Sequence, residues 1–393
     1  MTKPVVLGVG MTKFGKQLDK SFKQLSNLAV NDALKDAQID KADIEAAFVS
    51  NVMAGSVWGQ DSIRGQVFLS ELGLENIAIH NVENACASGS AAIQMAVMAV
   101  TSGMHDVVLV LGTEKMHHQD KTKAFAALKA STDVTENSAV LMGQEKENES
   151  VFMNLYAEDM RLHMEQYGTN AETFAKVAAK NSYHGSLNEY AHYRKPNSVQ
   201  DVMNSRLITS PLRLLMCSPL SDGAAAAIIC SEQYAKKHTN ELIYIESSVV
   251  MSGAKKENET TEVTTVAERA YKQAGIGPSD LGVVEVHDAA VPGELLAYEQ
   301  LLLCTTGEGG RLIEEKQTYI DGKIPVNPSG GLLSRGHPIG ATGIAQLAEI
   351  NWQLKGEAGK RQIPTQPKTG LMHNVGGYLQ GQNASVAIHI LSR

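Results

Sequence analysis

A chain of 393 residues sets a prior of two or three domains, or one two-lobed body, and its 43% hydrophobic and 20% charged residues are those of an ordinary globular protein. The net charge of −8 provides no basic footprint for nucleic acid or an anionic membrane surface. No apolar run approaches the ~20 residues of a membrane-spanning helix, and the four cysteines form no C-x-x-C pair, which argues against a disulfide framework or a zinc site and for a reduced, cytoplasmic protein.

The opening "MTKPVVLGVGMTKFG" reads as a first strand, since no cleavage site follows a longer apolar core. Residues 28–51, "LAVNDALKDAQIDKADIEAAFVSN", read as an amphipathic helix, a turn and an apolar strand. Next comes "NVENACASGSAAIQMA", residues 81–96, where an extended run becomes a helix around Cys86. A cysteine at such a turn has the first backbone N–H groups of the helix aimed at its sulfur, and the positive end of the macrodipole favours the thiolate. The expectation is a lowered thiol pKa. Ala85, Ala87, Ser88, Gly89 and Ser90 leave room for a substrate, and the Cys86 N–H is a candidate oxyanion donor. On this stretch alone, a small buried core cysteine is an equally good reading.

After the strand "DVVLVLGTEK" comes a polar, irregular and partly helical region, residues 115–215. It reads as an insertion carried on the first half. "CSPLSDGAAAAIICS", residues 217–231, then returns to buried-strand character. The expected division is 1–114 plus 216–250, an inserted 115–215, and 251–393.

The second half echoes the first. In "VAERAYKQAGIGPSDLGVVEVHD", residues 266–288, Ala270, Lys272, Ala274, Ile276 and Asp280 repeat Ala33, Lys35, Ala37, Ile39 and Asp43 at one offset. Later, "HPIGATGIAQLA" repeats "CASGSAAIQMA": His337 and Cys86 each stand three residues before a glycine that opens an Ala-rich helix. Two copies of one α/β unit explain both echoes, with layered, largely parallel sheets. Packed face to face, the copies would bring Cys86 and His337 together. His337 would then be a general base for the thiol or a donor to an oxyanion.

Two further stretches carry candidate chemistry. "EVHDAAVPGE", residues 285–294, ends a strand in His287 and Asp288, a pair suited to orienting an imidazole or a water. "GLMHNVGGYLQGQ", residues 370–382, offers His373, Asn374 and bare backbone N–H groups around Gly376. Cys217, Cys230 and Cys304 look structural, Cys304 as the end of the helix "ELLAYEQLLLC".

Together "NACASGSAAI", "VHDAAVPGE", "GHPIGATG" and "HNVGG" resemble the thiolase superfamily, in the branch typified by sterol-carrier-protein-2-type thiolases, over essentially the whole chain. The resemblance implies an α/β thiolase fold: two βαβαβ-type halves in a five-layered αβαβα arrangement, with an inserted loop domain. It implies an acyltransferase using a coenzyme A thioester as substrate, with no bound cofactor or metal, and a homodimer or homotetramer. Cys86 would be acylated and His337 would activate it. His287 would hold a water or share an oxyanion hole with His337, and the N–H groups of Cys86 and Gly376 would form the other. Residues 115–215 would supply most coenzyme A contacts. Thiolases use a second acid/base, normally a cysteine; in this branch it follows the His-Asp pair, where this chain has Ala289. The Cys-x-Gly position holds Asn374, which exchanges no proton near neutral pH, and His373 is the alternative there. A retro-aldol lyase working with a small acyl-CoA-binding partner protein, and a non-catalytic acyl-CoA or lipid carrier, are the other readings.

Overall fold

The computed structural model describes residues 2–135, 150–253 and 261–393; parts of the expected insertion (136–149) and of the second half (254–260) lie outside the described residues. The first-half strands are β1 (Pro4–Met11), β2 (Ala46–Ser50), β3 (Ala78–Val82), β4 (Val107–Glu114) and β7 (Gly223–Ser231), ordered β3-β2-β4-β7-β1. The small β5 (Leu207–Thr209) and β6 (Leu212–Arg213) pair apart from them. The second-half strands β8 (Ile243–Ser252), β9 (Val283–Glu285), β10 (Thr369–Leu379) and β11 (Gln382–Ser392) are ordered β8-β11-β10-β9. The two runs join where Val5 and Val6 of β1 pair with Tyr244 and Ile243 of β8.

The halves have the same wiring. In the first, β1·β7 and β7·β4 are antiparallel and β4·β2 is parallel. In the second, β8·β11 and β11·β10 are antiparallel and β10·β9 is parallel. Val326, bridged in parallel to Val284, stands where a fifth strand would correspond to β3. The sequence echo lies on matching elements: helix Phe22–Ala37, turn Lys41–Asp43 and β2 against helix Glu262–Ala274, turn Pro278–Asp280 and β9.

The sheets are mixed, and the expectation of largely parallel sheets is corrected. β10 and β11 are joined by Gln380 and Gly381 alone, both at positive φ (50° and 85°). So short a connection forms only an antiparallel hairpin.

Layering follows from burial. β1, β4 and β7 are buried at every residue, so they read as continuous apolar runs rather than alternating ones. Helix Phe22–Ala37, capped by Ser21 with a reciprocal Gln24 contact, lays Leu25, Ala29, Val30 and Ala33 on one outer face. Burying Leu25 and Val30 contributes roughly 1.5–3 kcal/mol each. Helix Glu262–Ala274 covers the other outer face with Val263, Val266, Ala267 and Ala270. Between the sheets lie helices Ser88–Thr101 and Thr342–Lys355, whose Ile93, Ala96, Ile344 and Leu347 share one cluster with Val110, Ile229, Ile245 and Met372. The result is an αβαβα stack.

Helices Val151–Tyr167 and Ala171–Leu187 are inserted between first-half strands yet pack on the second half, against Val291, Leu295 and Ile313. Their anchor is Lys180, fully buried and 2.5 Å from the buried Glu294 carboxylate. All four cysteines are free. Cys304 lies beyond its expected helix, which ends at Gln300.

Candidate active site

The turn after β3 presents Cys86. Ala85 adopts φ +47°, uncommon for a residue with a side chain. It is held there: its N–H donates to the Glu83 carboxylate at 2.6 Å, and its carbonyl accepts from the Ser88 hydroxyl at 2.6 Å. The Ser88 oxygen in turn accepts the Asn84 N–H at 2.8 Å. These bonds set Cys86 at a sharp corner two residues before helix Ser88–Thr101 begins. β10 presses on the same corner. A Cβ at Gly376 would overlap the Asn84 carbonyl oxygen and lie 2.6 Å from the Ala87 nitrogen, so only glycine fits.

His337 arrives from the other half on the loop between helix Gly331–Arg335 and the turn Ile339–Ala341. The two central helices touch at their N-termini: a Cβ on Gly89 would come within 3.0 Å of the Gly340 carbonyl oxygen and 3.2 Å of the Gly343 nitrogen. That approach explains the glycine at 89; the one at 340 answers to the end of β2, where a Cβ would come within 2.9 Å of the Ser50 carbonyl oxygen and the Asn51 Cα. Cys86 Sγ, one ring nitrogen of His337 and one of His287 all lie within 4.8 Å of one another. The imidazoles meet edge to face, centroids 5.2 Å apart.

The Thr342 hydroxyl sets the His337 tautomer. It donates to the Pro338 carbonyl at 3.0 Å and lies 2.7 Å from His337 Nδ1. A hydroxyl with its one proton committed accepts from Nδ1–H, which leaves Nε2 with a free lone pair. Nε2 is buried and has no hydrogen-bond partner among the described residues. Turned toward Nδ1 instead, the same hydroxyl would leave Nε2 protonated, a donor to an oxyanion.

The thiol is not a standing thiolate, which corrects the expectation from the helix start. Burial, then the negative charges of Glu114 and Glu83, push Cys86 up to about 12. Cys86 is partly buried and packs against an apolar cluster of Met53, Val57, Met116 and Ile339, whose desolvation of the sulfur opposes the helix terminus. The histidines are held neutral: burial lowers His337 to about 3 and takes His287 well below its usual value. Glu114 accepts from Asn51 Nδ2 (2.7 Å), Val52 N (2.9 Å), Met53 N (3.0 Å) and Gly340 N (3.1 Å), pinning the His337 loop to the first half. Burial raises its carboxyl to about 7.

The remaining candidates separate. Asp288 does not orient His287; its carboxylate caps helix Gly331–Arg335 through Leu332 N (2.6 Å) and accepts from Asn181 Nδ2 (2.8 Å). Ala289 offers no proton, and its carbonyl accepts the Ser218 N–H. Asn374 points to the central layer, donating to Gln346 at 2.9 Å. Along β10, Met372 belongs to the central cluster, while Leu371 and Val375 belong to the outer one. The two-residue period therefore puts His373 on the outer face, outside the 4.8 Å cluster of Cys86, His287 and His337, although its charge still acts on His287. Both of its ring nitrogens are buried without a protein partner.

Sequence reasoning missed Thr342, Glu114, Lys180 and Tyr156. Thr342 had a signal, a hydroxyl one helical turn past the histidine. Lys180 showed only as one of several polar residues on a helix, beside Asn181 and His184. Tyr156, from the inserted helix, packs its ring against Gly293 (3.4 Å to a Cβ built there), and burial, then the Cys86 charge, pushes its hydroxyl upward. Nothing in the sequence pairs it with Cys86.

Cys86, His287 and His337 are donors that would also suit a thiophilic divalent cation. Acyl transfer requires the same thiol unligated. Among the described residues, no helix is long and apolar enough to cross a membrane.

Known protein families match nearly the whole chain. Residues 4–233 match the family described as thiolase, N-terminal domain, and residues 247–392 the thiolase C-terminal domain-like family. The acetyl-CoA acetyltransferase of Methanothermobacter thermautotrophicus is 41% identical over the full length of both chains. That of Methanocaldococcus jannaschii is 39% identical over 100% of this chain and 99% of the other. Sterol carrier protein 2 of Rattus norvegicus is 39% identical over 94% of this chain and 69% of its own length. A solved Ltp2-ChsH2(DUF35) aldolase shares the fold, with a TM-score of 0.81 at 23% identity over 99% of this chain and 97% of that one.

Proposed function

The chain belongs to the thiolase family, and from that premise we propose that it takes an acyl group from acyl-CoA onto Cys86 and passes it to a carbon acceptor. It is a thiolase-type acyltransferase, similar along its whole length to acetyl-CoA acetyltransferases. The carrying observation is the convergence of Cys86 Sγ with His287 and His337 nitrogens inside 4.8 Å, one of those imidazoles with its tautomer set by Thr342.

His337 Nε2 takes the thiol proton as sulfur closes on the thioester carbonyl. A thiol pushed up to about 12 makes that transfer part of the attack rather than a step before it. The N–H groups of Cys86 and Gly376 receive the oxyanion. As the intermediate collapses, the coenzyme A thiolate leaves with the proton from His337. The carbonyl of the second thioester then sits against His337. The chemistry calls for no bound cofactor, since the thiol supplies the electron pair and the imidazole moves the proton. Residues 115–215 would carry most coenzyme A contacts; their supporting observation is the packing of Tyr156 beside the site.

A homodimer or homotetramer is the proposed assembly, supported by the exposed edge strand β3. The free thiols support a reducing, cytoplasmic setting. A lyase working with a small partner protein, or a non-catalytic carrier, would not need a nucleophile gripped by two imidazoles, so these readings are not favoured.

The test is the intact mass of the protein after brief exposure to acetyl-CoA and longer acyl-CoAs, with peptide mapping. The expected result is one acyl adduct on Cys86, absent in Cys86→Ala. Binding without an adduct, for every acyl-CoA tried, would overturn the proposal.

A further inference from the structure

Carbon–carbon bond formation needs a group that removes a proton from the α-carbon of the second acyl-CoA. The residues where the family resemblance places a thiol for this task supply none. Ala289 has a methyl group. Asn374 exchanges no proton and is bonded to Gln346. His373 is on the far face of β10. Asp288 is spent on the N–H groups of Leu332 and Leu333 and on Asn181, and Tyr156 holds its hydroxyl proton too tightly to act as a base. Among the described residues, one ionisable side chain remains in direct company with both Cys86 and His337.

We infer that His287 is that acid/base: its neutral imidazole takes the α-proton of the second acyl-CoA in place of the missing thiol. This rests on the acyltransferase reading above. The placement carries it. His287 follows β9 on the strand-end loop, 3% exposed, with one ring nitrogen inside the 4.8 Å cluster around the acylated sulfur. An acceptor carbon that attacks the acyl group on Cys86 must come within bonding distance of that same point. Nδ1 of His287 is buried without a protein partner, so no hydrogen bond ties the ring to one tautomer as Thr342 ties His337. The histidines thereby divide the work, one controlled by a hydroxyl for thiol activation and oxyanion donation, the other free for the α-proton.

The step balances. The His287 nitrogen accepts the proton and the C–H electron pair becomes the enolate. The enolate carbon attacks the acyl carbonyl and a C–C bond forms. The C–S bond to Cys86 breaks, and the departing thiolate recovers the proton from His287. The products are a 3-oxoacyl-CoA and the free thiol. Enolate and imidazolium arise as a facing pair in a buried site, where their attraction is strong, and this offsets the poor basicity of a desolvated imidazole toward solvent.

The experiment compares wild type, His287→Asn and the double variant His287→Asn/Ala289→Cys with acetyl-CoA in D2O. Three readings are taken: the Cys86 acyl adduct by intact mass, methyl 1H/2H exchange by NMR, and 3-oxoacyl-CoA formation. Folding is checked by thermal melting. The expected result is that His287→Asn still forms the adduct while exchange and condensation fall at least 100-fold, and that the added cysteine restores exchange at least tenfold. Exchange within threefold of wild type in His287→Asn would overturn the inference while leaving the acyl-enzyme intact. Loss of adduct and exchange together in the folded variant would assign His287 to acylation and also overturn it. No adduct in the wild type would remove the acyltransferase reading itself.

Discussion

His337 Nδ1 lies 2.7 Å from the Thr342 hydroxyl, and that hydroxyl donates onward to the Pro338 carbonyl at 3.0 Å. A single side chain therefore occupies Nδ1 of that imidazole and leaves Nε2 without a hydrogen-bond partner among the described residues. Thr342→Val removes the acceptor and leaves Nδ1–H unsatisfied, a cost of about 1–3 kcal/mol. The acylation rate is expected to fall roughly 10–100-fold, measured by rapid quench and mass of the Cys86 adduct, while Thr342→Ser stays within about threefold. A valine variant that acylates at the wild-type rate would remove Thr342 from the mechanism.

Because burial and nearby carboxylates push Cys86 up to about 12, the free enzyme holds a thiol at neutral pH. The rate at which iodoacetamide labels Cys86, followed by peptide mapping, is expected to climb with pH and show no plateau below about pH 10. A plateau near neutrality would mean a standing thiolate and refute this account of the site.

Acid should destabilise the fold through its buried histidines. His184 and His337 are lowered to about 3, His373 and His389 to about 4, all by burial first. Above pH 6.5 neither folded nor unfolded chain protonates them. Below it the unfolded chain binds protons that the folded chain refuses, so stability falls as the pH drops toward 4. Near pH 5 each contributes a slope of about 1.4 kcal/mol per pH unit. His192, lowered to about 4, and His287 act in the same direction, while Glu114 and Glu285, raised to about 7, and Asp288 hold protons in the folded chain and offset part of the effect. Urea unfolding from pH 7 to 5 should report a net proton uptake, and a flat profile would contradict it.

Lys180 and Glu294 are both fully buried, 2.5 Å apart. Lys180→Met strands a carboxylate that also accepts from Asn181 and Asn327. It is expected to cost about 3–5 kcal/mol in urea unfolding. Lys180→Met/Glu294→Gln should recover part of that loss, since no charge is then left unpaired. A double variant weaker than the single one would show that the pair does not act as a unit.

Gly376→Ala puts a methyl against the Asn84 carbonyl and the Ala87 nitrogen. The corner holding Cys86 must then move. Overpacking of this kind costs about 1–3 kcal/mol, and the acylation rate should fall more than about 100-fold because attack geometry is lost. An alanine variant with wild-type acylation would mean that β10 does not position the nucleophile.

Much of the architecture was readable from local pattern. The echo of Ala33, Lys35 and Ala37 in Ala270, Lys272 and Ala274 lies on two outer helices of equivalent place. It was legible because an amphipathic helix repeats its buried positions whatever it packs on. The Gly89 and Gly340 spacing was visible too, though its causes, the facing helix start at Gly89 and the backbone of Ser50 and Asn51 at Gly340, were not. Strand direction was misjudged because a continuous apolar run reports burial on both faces and says nothing about which neighbour it pairs with.

The site was legible in part for the same reason. Cys86, His287 and His337 were picked out by residue type at element ends, and the structure brings them within 4.8 Å. His373 and Asn374 sit side by side in sequence, yet the pleat of β10 sends them to opposite faces. Asp288 looked like a partner for His287 and is a helix cap instead.

By itself, then, the sequence determined the two α/β copies, the candidate nucleophile and the histidines that could serve it, because period, composition and motif are properties of neighbouring residues. Only the tertiary structure decided the desolvation around the thiol, the hydrogen bond at His337 Nδ1 and the gathering of His287 beside both. Those depend on desolvation and on single hydrogen bonds between residues far apart in the chain, such as Glu114 with Gly340, and no local pattern encodes them.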